Sequence, residues 1–222
     1  MEEPMGPTFD QRVEAWDRVA QSTRAQEAIA PSSKRPEGYA KSGLNHADKL
    51  AEADRPDAEL TIMDFGCGDG RVTAHLVNRY GRVVGADASP AMIARLAKRA
   101  PKVEGVVWNG RDDFPVAGLM FDAICSFLMF IHYPHGDGRE ILAALAGRLK
   151  PGGIMAIQCP LYDQARRPVG WTSVGVWTPE QFVLAAQDAG LAVDAISANR
   201  GRYKPGAAGK HHGALQVLHR PK

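Results

Sequence analysis

From position 59 onward the chain alternates between two apolar rhythms. Short apolar runs occupy 60–65, 83–86, 103–108, 121–127 and 154–158, each of strand length and too short for a helix. The run at 121–127 is broken only by Asp122 and Ser126. Between the runs lie segments of helical character: 71–80, a stretch opened by Ser89-Pro90 and closed by Pro101, and 138–149. Ser89 offers an N-cap oxygen, and Pro90 pre-sets the backbone of the first turn. Thr178-Pro179-Glu180-Gln181 has the form of a capping box with proline at the first helical position, and Gly190 stops the helix behind it. Two more apolar runs follow, 191–197 and 214–218, with no helix between them.

Strands that are apolar on both faces and alternate with helices predict an α/β fold, a mostly parallel sheet covered by helices on either side. The last two runs lack a crossover, so they are expected as antiparallel neighbours, giving seven strands with the final one antiparallel. The amino-terminal part has a different texture. Phe9, Val13, Trp16 and Ala20 recur at helical spacing and predict one amphipathic helix over 9–29. A loop is expected over 31–43, and a second helix from near Asn45 to Arg55-Pro56. We expect residues 1–57 to form a helical cap that is part of the same domain as a core at 58–222.

Composition adds mainly exclusions. With 27 Lys plus Arg against 25 Asp plus Glu, the formal charge is only +2, which argues against a nucleic-acid binder. Three scattered cysteines without a C-x-x-C pair predict neither a disulfide framework nor a zinc knuckle. The amino terminus, MEEPMGPTFD, has no apolar core region, and no run reaches the ~18 apolar residues of a membrane span. A cytoplasmic protein without a membrane partner is expected.

The first strand delivers Asp64-Phe65-Gly66-Cys67-Gly68-Asp69-Gly70 to the carboxyl edge of the sheet, where α/β proteins bind ligands. Small residues at 66, 68 and 70 let a ligand approach the backbone and its amides. The second strand ends in Asp87, a carboxylate able to accept both hydroxyls of a ribose. Together they predict a nucleoside-containing ligand. The dinucleotide fingerprint fails at Arg71, where glycine is required, and a P-loop at 204–211 fails at Lys204 and His211.

The segments IMDFGCGDGRVTAHL, VVGADASPAMIARLAKRA and LKPGGIMAI, in this order, resemble the class I S-adenosylmethionine-dependent methyltransferases over residues 36–160. The resemblance implies a Rossmann-like three-layer sandwich and S-adenosyl-L-methionine as cofactor. It implies that Asp64, Gly66, Cys67 and Gly68 hold the methionyl and adenosyl parts and that Asp87, with Ala88 beside it, holds the ribose. It places Ser126 near the cofactor, and an acid after the third strand on the adenine amino group, either Asp112 or Asp113. PEGYAKSG resembles a cofactor-closing segment, which implies cofactor contacts at Tyr39 and Gly43. His132, beyond the fourth strand, falls where the family has a group near the transferred methyl. It reads either as a neutral imidazole that takes a proton from the acceptor or as a loop histidine satisfied by backbone. His135 and Asp137 beside it do not complete a convincing ligand set, and no metal is expected.

An acceptor wall is expected from Trp16, Tyr133, Tyr162 and Trp171, with Trp177 nearby and Arg166 and Arg167 available for an acidic group. The long connection at 160–177 is of the kind that binds ligands. The alternative for these aromatics, Trp16 included, is simple packing. The three cysteines are small buried fillers rather than catalytic thiols. Function then reads as in-line methyl transfer to a small molecule. The alternatives are methylation of RNA or protein, and a module that binds the cofactor without transfer.

Overall fold

The computed structural model describes residues 7–22, 25–29, 36–161, 175, 177–198, 201–202 and 215–222. The apolar runs become the strands β1 (Thr61–Phe65), β2 (Arg82–Asp87), β3 (Glu104–Val107), β4 (Phe121–Phe127), β5 (Leu149–Gln158), β6 (Ala192–Ala198) and β8 (Leu215–His219). A two-residue strand, β7 (Gly201–Arg202), pairs with the end of β6. Together they form one sheet in the order β3-β2-β1-β4-β5-β8-β6-β7. The pairs among β1 to β5 are all parallel, and β8 lies antiparallel between β5 and β6. The expected antiparallel last strand is thus present.

Adjacent residues of each central strand serve opposite faces. Met63, Ile124 and Met155 pack on one face, against Ile141, Leu142 and Leu145 of α6 (His135–Arg148). Ile62, Ala123 and Ala156 pack on the other. There they meet Leu50 of α3 (Pro36–Asp54), Leu76 of α4 (Thr73–Leu76) and Leu96 of α5 (Pro90–Arg99). Both predicted caps form: Ser89 Oγ accepts the Met92 amide, and Thr178 and Gln181 make the capping box of α7 (Pro179–Asp188).

Several expected elements are corrected. The single helix over 9–29 is two, α1 (Phe9–Gln21) and α2 (Ala25–Ile29). Ser22 turns extended (ψ 157°) and its hydroxyl donates to the Val19 carbonyl at 2.7 Å, a local bond that competes with continuing the helix. The loop expected over 31–43 is helical from Pro36, so PEGYAKSG lies inside α3. Gly43 fits there because α3 crosses the chain closely: a Cβ would sit 2.0 Å from the Arg71 carbonyl oxygen. The helix expected at 71–80 has only four α-helical residues, flanked by turns. β5 and α6 each begin earlier than the pattern predicts.

Candidate functional site

The strand order reverses between β1 and β4, where the loops leaving the two strands part. A cleft of about 880 Å³, counted to its open mouth, lies there. Its floor is the end of β1 (Asp64 to Gly68), and one side is Asp87 and Ala88 after β2 with Met92 of α5. Trp108 and Asn109 follow β3. Phe127 to Met129, His132 and Tyr133 follow β4, and Val13 and Trp16 of α1 and Ile29 of α2 complete the wall.

The turn after β1 passes through Gly66 (φ 72°), Gly68 (φ 54°) and Gly70 (φ 87°), a left-handed backbone suited to glycine. A Cβ on Gly66 would lie 2.6 Å from the Met129 side chain. The expectation that these amides face a ligand is corrected. Gly66 and Cys67 donate to the Ala86 carbonyl, Gly70 to the Cys67 carbonyl and Gly68 to Asp87 Oδ2. The turn therefore contributes close approach of backbone, not a cradle of amides, and α4 is too short to add a substantial dipole.

Asp87 accepts one amide on each oxygen, Gly68 at 2.9 Å and Ser89 at 2.9 Å. A carboxylate oxygen has two lone pairs, so each oxygen keeps one for a further donor. Burial pushes its pKa up to about 6, against the pull of those two amides. Asp64, almost fully buried, accepts Thr73 Oγ1 at 2.6 Å, and burial raises its pKa too. Burial likewise pushes the thiols of Cys67, Cys125 and Cys159 up, so all three stay protonated.

Beyond β4 the chain passes through Leu128 in the left-handed region (φ 62°), with its amide on the Gln158 carbonyl at 2.8 Å. The 3-10 turn Phe130–His132 then presents His132 edge-on to Trp16, with ring centroids 4.8 Å apart. Tyr133 is stacked on Phe9 at 5.3 Å. Its phenol is held above the usual range by burial first, and by Asp87 and Asp137.

Of the residues expected at the site, Asp64, Gly66, Cys67, Gly68, Asp87, Ala88, His132, Trp16 and Tyr133 share this cleft. Others do not. Tyr39 is buried beside it and donates to Asp69 Oδ1 at 2.7 Å, with Arg99 over its ring, and Gly43 serves helix packing. Asp112 and Asp113 are exposed on the turn after Asn109, whose Oδ1 takes the Arg111 and Asp112 amides. Asn109 is the polar side chain that this loop brings to the cleft. Ser126 is fully buried within β4, and its Oγ finds no partner among the described residues. Trp177 packs over Gly138 and His135 of α6, away from the cleft. Tyr162, Trp171, Arg166, Arg167, His211 and His212 lie outside the described residues. Sequence reasoning missed Arg71, Met92, Trp108 and Met129. Arg71 stands directly after the glycine turn, and the buried Asp64 feels its charge.

Fold and site define an α/β protein with a cleft at the switch point of its sheet. Residues 62–153 match the family model described as a methyltransferase domain. Over 133 residues the chain is 35% identical to a trans-aconitate 2-methyltransferase of Azoarcus sp. strain BH72, covering 59% of this chain and 51% of that one. It is 34% identical over 122 residues to a trans-aconitate 2-methyltransferase of Escherichia coli, covering 50% and 47%. The chain thus spans about half the length of the curated relatives it matches. The N-methyltransferase NodS of Bradyrhizobium japonicum, solved with S-adenosyl-l-homocysteine, superposes with TM-score 0.70 at 15% identity, covering 95% and 99%. Residues 62–153 are thus similar to a methyltransferase domain, and the fold is shared with solved methyltransferases.

Proposed function

We propose that this chain binds S-adenosylmethionine in the cleft and transfers its methyl group to a small-molecule acceptor by in-line displacement. The observation that carries the reading is Asp87, with one free lone pair per oxygen, bonded beside the Gly66–Gly68 backbone in the same cleft. These groups fit the cofactor: the lone pairs match a ribose diol, and the bare glycines admit a ligand that a Cβ would obstruct. Met92, Trp108 and Ala88 offer an apolar slot for a base, with Asn109 at its rim. When bound, the cofactor supplies a methyl group already activated by its sulfonium.

The task of the chain is then alignment, and orientation of that kind accounts for about 7–11 kcal/mol of a barrier. Trp16, His132 and Tyr133 form the acceptor side, with α1 and α2 as its cap. His132 accepts the proton where the nucleophile carries one. Support for a small acceptor comes from the relatives, named for trans-aconitate, a small polycarboxylate.

The test uses methyl-labelled cofactor and cell extract divided by size. Label entering the low-molecular-weight fraction supports the reading, and label only in protein or RNA contradicts it. His132→Ala should depress turnover roughly 10²–10⁴-fold while leaving cofactor affinity unchanged. Full activity in that variant removes its role.

A further inference from the structure

α1 rests the two edges of its inward face on different neighbours. Asp17 docks one edge on the start of α5: its Oδ1 accepts Ser89 Oγ at 2.6 Å and the Ala91 amide at 3.0 Å. Arg12 is five residues earlier, about 140° around the helix at ~100° per residue, and so lies on the opposite edge. Trp16, one turn after Arg12, lines the cleft. Arg12 sits near Tyr133 of the cleft wall, whose phenol feels its charge. It also lines a groove along α1 with Gln11, Ala15 and Val19.

Arg12 is only 6% exposed, and among the described residues its Nε and Nη1 have no hydrogen-bond partner. Other guanidinium groups around the cleft are tied to a side chain: Arg99 pairs with Asp69, Arg111 pairs with Asp137 and Glu140, and Arg71 donates to Ser42 and meets His46, leaving its Nε without a partner among the described residues. A guanidinium cannot shed its proton, so a buried one with unmatched donors is a standing penalty until an anion completes it. Its place on the acceptor side says what that anion belongs to.

We infer that the acceptor bears a carboxylate and that Arg12 binds it, holding the molecule by this handle under α1. The inference rests on the methyltransferase reading for the identity of the cleft. Arginine suits the role, because its planar donors match a carboxylate in charge-assisted bonds.

The test is calorimetry on the full chain saturated with S-adenosylhomocysteine, titrated with trans-aconitate, its neutral trimethyl ester, or inorganic phosphate. The acid should bind, and the ester and phosphate should not. Arg12→Met should weaken the acid roughly 10–100-fold, and Arg12→Lys less, with S-adenosylhomocysteine affinity unchanged in both. Without ligand, Arg12→Met should melt at or above the wild-type temperature, because an unmatched buried charge has been replaced by an apolar chain. Unchanged acid affinity in Arg12→Met, equal binding of acid and ester, or binding of phosphate in place of the acid overturns the inference. So does a lowered melting temperature together with lost S-adenosylhomocysteine binding, which marks Arg12 as structural. A wild type that binds S-adenosylhomocysteine but no acid overturns the Arg12 assignment alone. One that binds neither removes the methyltransferase reading as well.

Discussion

Arg71 Nη1 meets His46 Nδ1 at 3.0 Å, and a guanidinium can only donate. The imidazole therefore carries its proton on Nε2 and is neutral, stacked on Phe127 with centroids 4.7 Å apart. Burial first, then Arg71 and Lys49, lower its pKa to about 3. A base whose pKa is depressed on folding contributes stability above its unfolded value, ~6.5, and that contribution fades as pH falls toward the folded value. Urea unfolding between pH 7 and pH 4 should show wild-type stability falling more steeply than that of His46→Leu. The difference should approach but not exceed about 1.4 kcal/mol per pH unit. Parallel curves contradict the tautomer assignment. At this scale the sequence was legible where chemistry depends on residue type alone, as at Asp87 and the positive-φ glycines. It misled where a contact depends on a turn no pattern announces. The Asn109 side chain folds the following residues into a local turn, and this carries Asp112 and Asp113 out to solvent.

Among the elements, α1 covers the cleft because its inward residues have two kinds of partner. Val13 and Trp16 meet the cavity, and Asp17 is fixed at the amino end of α5. A carboxylate there completes an open amide and suits the positive end of the helix dipole. The Ser89 hydroxyl holds the Asp17 carboxyl below its usual range. Asp17→Ala should cost about 1–2 kcal/mol of unfolding free energy and weaken cofactor binding by loosening the cap. Unchanged stability and affinity contradict this docking. The periodicity of Phe9, Val13, Trp16 and Ala20 announced the buried stripe. The break after α1 was not legible, because Ser22 ends the helix through its own hydroxyl, and a serine within a helical pattern gives no sign of which bond it makes. PEGYAKSG reads as a loop by composition. Its Gly43 is tolerated inside α3 through packing against Arg71, a contact of residues far apart in the chain.

For the molecule as a whole, the alternation of strand and helix, and the missing helix before the last strand, were enough to set a parallel sheet with one antiparallel insertion. Insertion of β8 between β5 and β6, rather than at the edge, follows from no local signal: it buries Leu218 on both strand flanks. The same topology parts the loops after β1 and β4, so residues distant in sequence, Gly66, Asp87, His132 and Trp16, come to share one cleft. No helix among the described residues is long and apolar enough to cross a membrane. The central claim is that this cleft holds an adenosine cofactor through Asp87. Calorimetric titration of the chain with S-adenosylhomocysteine at pH 7.5 tests it most directly, with Asp87→Ala beside the wild type. One site per chain, weakened roughly 10–100-fold in the variant, is the predicted result. Absence of binding in the wild type, or equal affinity in both, would contradict it.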